Sequence, residues 1–103
     1  MVELAPHVPV PLDAIEAFCR KWHVVEFSLF GSVLRDDFRP DSDIDVLVRF
    51  AADYRPRGFE FVDMKLELED LFRRPVDLVE HGTIANPFRR HAIMRDRAVL
   101  YAA

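Results

Sequence analysis

The stretch VVEFSLFGSVLRDDFRPDSDIDVLVRF, residues 24–50, decides the fold. Val24 to Phe30 is rich in β-branched and aromatic residues and stops at a glycine, which reads as a strand. Gly31-Ser32 opens a short helical turn that ends before Pro40. Asp43 to Phe50 then alternates as a second strand. Ile44, Val46, Val48 and Phe50 point one way, and Asp43, Asp45, Leu47 and Arg49 the other. A strand, a glycine-serine turn and a strand with two aspartates on one face form the centre of the reading.

Toward the N-terminus, Leu12, Ile15, Phe18, Cys19 and Trp22 recur at helical spacing, with Glu16, Arg20 and Lys21 between them. This is an amphipathic helix with Trp22 on its core side. Before it, Val8-Pro9-Val10-Pro11 is punctuated by proline and extended. Toward the C-terminus, residues 51–58 hold Pro56 and Gly58 and read as a surface loop. Phe59 to Arg74 returns to helical spacing through Phe61, Met64, Leu68, Leu71 and Phe72. Glu69 with Arg73 and Asp70 with Arg74 are spaced to pair on its solvated side. Pro75 begins a third strand, Val76 to Glu80, closed by His81-Gly82. A last helix runs from about Pro87 through Met94, with Asn86 as its cap, and Ala98 to Tyr101 adds an edge strand. Such alternation predicts an α/β (α+β) fold, a small mixed sheet of three to four strands packed by helices.

The 103 residues are expected to form one domain, 1–103. Half the residues are hydrophobic and nine are Phe, enough for a core without staples. The single cysteine, Cys19, reads as a buried core thiol. No apolar run is long enough to span a bilayer, and Met1 to Pro11 lacks the pattern of a signal peptide, so a soluble, cytoplasmic protein is expected. A net charge of −4 argues against general binding of DNA or RNA and suits an acidic cluster that recruits a divalent metal.

The chemistry concentrates in a few residues. Gly31 lets the backbone approach a ligand closely, and free N–H groups at the start of a helical turn favour phosphate, with the Ser32 hydroxyl as a further donor. By itself such a junction is also what a plain turn with an N-cap serine looks like. Asp43 and Asp45 share one strand face, where their mutual repulsion calls for a cation. Carboxylates with phosphate oxygens suit Mg²⁺ better than zinc. Chance also yields such a pair in a chain with 18 acidic residues. Asp77 adds weight: it interrupts an apolar strand, where a lone carboxylate is costly to bury. Three carboxylates beside a phosphate-binding turn can hold two metal ions for in-line displacement at phosphorus. The competing reading pairs Asp77 with Arg73, Arg74 or Arg49.

Gly31-Ser32, ten intervening residues and Asp43-Ile44-Asp45 resemble the signature of the nucleotidyltransferase fold shared with polymerase β. Arg35 and the run Ser42-Asp43-Ile44-Asp45-Val46-Leu47-Val48 are similar to minimal nucleotidyltransferases, the MNT proteins, over about Leu12 to Tyr101. The resemblance implies that Asp43 and Asp45 hold metal, that Asp77 completes the site near the attacking hydroxyl, and that Gly31 and Ser32 hold the triphosphate. It further implies Mg²⁺, ATP as donor, and a HEPN-type toxin as partner in a hetero-oligomer. MNT antitoxins of this kind transfer AMP to a tyrosine of the toxin. A chain this short leaves no room for a domain that grips the acceptor, which agrees with a protein partner.

Arg35, one turn after Ser32, could reach a phosphate or tie back to Asp43 or Asp45; the phosphate role is favoured. Arg39 is a weaker candidate for that role. Arg89, Arg90, Arg95 and Arg97 read first as a solvated helix face, with triphosphate or partner contact second. The four histidines show no ligand spacing, and Tyr54 sits in the long loop without a clear task. Two rival functions stand beside catalysis on a toxin: a non-catalytic antitoxin that covers its partner, and an enzyme modifying a small molecule.

Overall fold

A computed structural model describes residues 2–5, 8–35 and 42–103, with side chains from Val10 onward. Strands β1 (Val2–Ala5) and β2 (Val8–Val10) form a short antiparallel ribbon, where the sequence predicts only extended chain before Pro11. Helix α1 (Leu12–Lys21) follows, with Asp13 in its first turn and Arg20 and Lys21 in its last, matching the helix dipole. Strand β3 (Val24–Phe30) runs into a single 3₁₀ turn (Gly31–Leu34), and β4 (Ile44–Phe50) returns antiparallel to it. Helix α2 (Gly58–Phe72) carries the chain back so that β5 (Val76–Glu80) lies parallel to β4. After a second 3₁₀ turn (His81–Thr83) come α3 (Pro87–Asp96) and β6 (Ala98–Ala102), which pairs antiparallel with β3. The mixed sheet has the order β5-β4-β3-β6, with the expected edge strand at its far side.

One face of the sheet carries the main core. Phe27, Leu29, Ile44, Val46, Val48, Val76 and Leu78 pack against Ile15, Phe18 and Cys19 of α1 and Met64, Leu68 and Phe72 of α2. These are the positions the helical and strand periods select. Burial pushes the Cys19 thiol up to about 12, with Glu16 adding to the effect, so it is an inert core group. Trp22 is half-buried beside this core, and its indole N–H donates to Glu67 at 2.7 Å. Tyr54 packs inward on His23, ring centroids 4.6 Å apart, which gives the loop tyrosine a structural place. On the opposite face a smaller cluster joins Phe30 and Leu47 to Ile84 and to Ile93 of α3. By strand alternation Asp43, Asp45 and Asp77 belong to this second face.

Two local bonds align the strands that carry the aspartates. Glu69 near the end of α2 accepts the N–H of Val76 at 2.9 Å, instead of pairing with Arg73 as its spacing predicts. Arg73 adopts a left-handed conformation, φ 60°, and ends the helix with its N–H on the Glu69 carbonyl. The N–H of Ile44 donates to the carbonyl of Pro75 at 3.0 Å, so β4 and β5 start side by side. Asn86 caps α3 as expected, accepting from the N–H groups of Phe88 and Arg89. Among the described residues, no helix is long and apolar enough to cross a membrane.

Candidate active site

The site is assembled by register. Phe30, the residue before Gly31, lies opposite Asp45 on the antiparallel pair, and Asp45 lies level with Asp77 on the parallel one. Gly31 has φ +75°, and a Cβ placed on it would lie 2.1 Å from an Asp45 carboxylate oxygen. Only glycine fits, for its backbone angle and for this contact. The room that Gly31 leaves is filled by the Asp45 carboxylate, and the Ser32 backbone N–H donates to that carboxylate. Gly31 and Ser32 therefore hold an aspartate in place.

Asp45 is half-buried, whereas Asp43 and Asp77 are exposed. The exposure of Asp77 corrects one premise of the sequence reading: its carboxylate does not bear the cost of burial, although its strand is apolar. Of its suggested arginine partners, Arg49 pairs instead with Glu26 at 3.3 Å. Asp77 acts on Asp45 through charge. Desolvation, then the charges of Asp77 and Asp43, raise the Asp45 carboxyl above the usual aspartate range, while Arg89 and the Ser32 N–H work the other way. Three carboxylates thus share one corner of the sheet, with Asp45 at the centre.

Among the described residues, no three His, Cys, Asp or Glu side chains form a ready cage for a metal ion. The three-carboxylate cage expected from Asp43, Asp45 and Asp77 is thus not preformed, and a hard cation such as Mg²⁺ would have to take its remaining ligands from water and substrate phosphates. The raised carboxyl of Asp45 marks the excess negative charge that such a cation would neutralise.

Arg35 is exposed and lines a cavity of about 240 Å³ with Phe30, Gly31, Arg89 and Ile93. Arg39 lies outside the described residues. Arg89 is exposed, as a solvated helix face predicts, but its charge acts on Asp45 and it also lines a larger cavity of about 550 Å³ at the open edge of β5. The signal was its spacing: Arg89 stands four residues before Ile93, the buried anchor of α3. Of the other basic residues there, Arg97 pairs with Glu26 at 2.9 Å and Arg95 with Asp96 at 3.0 Å.

Known proteins resemble this chain in sequence and in fold. The nucleotidyltransferase domain family matches residues 13–100. A candidate protein adenylyltransferase of Methanocaldococcus jannaschii, MJ0128, is 37% identical over 76 residues, covering 74% of this chain and 76% of its own. A crystal structure of a toxin–antitoxin with AMP-PNP superposes with a TM-score of 0.73 at 22% identity, covering 91% of this chain and 75% of the other. A Shewanella oneidensis complex of tri-AMPylated HEPN toxin with MNT antitoxin gives a TM-score of 0.64 at 22% identity, over 89% and 70% of the two chains. The chain belongs to the nucleotidyltransferase domain family.

Proposed function

We propose that this nucleotidyltransferase is an Mg²⁺-dependent protein adenylyltransferase, an antitoxin that transfers AMP from ATP to a tyrosine of a partner HEPN toxin. The observation that carries the reading is the seating of Asp45 on the Gly31-Ser32 turn, level with Asp77 on the neighbouring strand. It joins a phosphate-binding turn to an acidic cluster at one corner of the sheet. Support for substrate and partner comes from the M. jannaschii relative, named for protein adenylylation, and from the AMP-PNP and AMPylated-toxin complexes.

In this reading Asp43 and Asp45 hold Mg²⁺, with Asp77 completing the set for two ions. Bound there, the metal supplies positive charge against the phosphate oxygens as charge develops at the reacting phosphorus. The remaining work falls to the chain. Gly31, Ser32 and Arg35 position the triphosphate. Asp77, exposed at the outer side of the site, accepts the proton of the tyrosine hydroxyl. The hydroxyl oxygen then forms a bond to the α-phosphorus, the α–β anhydride bond breaks, and pyrophosphate leaves with its electron pair.

The test is incubation with ATP, Mg²⁺ and the HEPN partner, followed by intact-mass measurement of the partner. Gain of one or more AMP units, abolished by Asp43→Asn with Asp45→Asn while the complex persists, is the expected result. A tight complex without mass gain would instead favour an antitoxin that acts by covering its partner. That outcome would leave the acidic corner without a catalytic task.

A further inference from the structure

Helix α3 meets the sheet through one buried residue, with an arginine one turn to either side. Ile93 is buried in one cluster with Leu47 and Phe30. One turn toward the C-terminus, Arg97 binds Glu26 at 2.9 Å, and Glu26 is the cross-strand partner of Arg49. One turn toward the N-terminus, the charge of Arg89 acts on Asp45. The steps match, since four residues of helix rise about 6 Å and two residues of strand about 6.6 Å. The ladder therefore has a closed ionic rung at Arg97–Glu26 and an open one at Arg89 and Asp45. Among the described residues, the ion pairs of α3 involve Arg95, Asp96 and Arg97 and leave the Arg89 guanidinium free.

The site also has a direction. Across the sheet the order runs from Gly31 at the end of β3, through Asp45 on β4, to Asp77 on the outer strand β5. Attacking and leaving oxygens lie on opposite sides of a phosphorus in in-line transfer. With the acceptor at Asp77, the leaving group falls on the β3 side. There lies the cavity of about 240 Å³, with Gly31 in its wall and Arg35 and Arg89 at its rim. Asp96 also lines it, but its carboxylate is engaged by Arg95 at 3.0 Å. The base of Arg89 is fixed, because its backbone N–H donates to the Asn86 cap at 3.2 Å.

We propose that Arg89 and Arg35 form a two-armed clamp, seated in this cavity, on the pyrophosphate end of the nucleoside triphosphate. The inference rests on the nucleotidyltransferase reading above and adds a residue from a separate element. Arginine suits the task because its planar fork meets phosphate oxygens two at a time. Arg89 offsets Asp45 in the free protein and turns to the phosphates when cation and nucleotide arrive together.

The experiment is calorimetric titration of wild type, Arg89→Ala and Arg89→Lys with ATP, pyrophosphate and AMP, each with Mg²⁺. Arg89→Ala should weaken ATP and pyrophosphate roughly ten- to hundredfold, the loss of one or two charge-assisted hydrogen bonds. AMP, which lacks the gripped phosphates, should bind as to wild type, and Arg89→Lys should recover part of the loss. Arg89 is exposed, so circular dichroism should find the variants folded. Unchanged pyrophosphate affinity in Arg89→Ala, or an equal loss for AMP, would overturn the clamp while the nucleotidyltransferase reading stands. Failure of wild type itself to bind ATP would overturn both.

Discussion

Gly31 and Asp45 are a coupled pair, and the sequence disclosed only half of the coupling. The glycine is legible as a place for close approach, but which group approaches depends on the register of β3 against β4. Spacing along the chain cannot supply that register. Gly31→Ala should cost at least about 2 kcal/mol, combining the left-handed backbone penalty with a contact that no Cβ can make. Placed in an Asp45→Ala background, the same change should cost only the backbone part, about 1 kcal/mol. Chemical denaturation of the four proteins measures the difference, and additive costs would show that Asp45 is not the obstacle. Asp77 gave the reverse lesson. Its place on an apolar strand suggested burial, yet on an edge strand its side is open to solvent.

Among the elements, the helices and central strands were legible because each follows a clean apolar period: Ile15, Phe18 and Cys19 on α1, Met64, Leu68 and Phe72 on α2, Ile44, Val46 and Val48 on β4. Helix α3 was legible by its start, Asn86 and Pro87, but not by its face, since a single buried residue, Ile93, has an arginine one turn to either side. One of these anchors it. Burial acts to raise the Glu26 carboxyl, but the hydrogen bonds and charges of Arg97 and Arg49 outweigh it and hold Glu26 below the usual glutamate range. A depressed carboxyl contributes stability above its unfolded-state pKa and loses it as pH falls through the folded value. Glu26→Gln should therefore destabilise the protein by about 1 kcal/mol near neutrality, with the gap to wild type closing in acid. Melting temperatures across a pH series test this, and a gap constant with pH would show that the charge is not what matters.

For the whole molecule, the acidic corner is a local defect in a stable frame. Asp45 carries the opposite shift from Glu26: burial and its carboxylate neighbours raise its pKa. Its contribution is most favourable below the unfolded-state value and is lost as pH rises through the folded one. Without divalent cations, Asp45→Asn should thus melt higher than wild type at neutral pH, and the advantage should vanish in acid. Mg²⁺ should raise the wild-type melting temperature at neutral pH and leave the variant almost unmoved. Equal responses would place the cation elsewhere. The parallel pairing of β4 with β5 adds a matter of timing. Strands β3 and β4 meet antiparallel with a modest connection between them, but Asp77 reaches Asp45 only after α2 has formed and folded back over the sheet. Long-range parallel pairing is the slower event. During refolding, then, Gly31 should close on Asp45 early, and Asp77 should join them as one of the last steps.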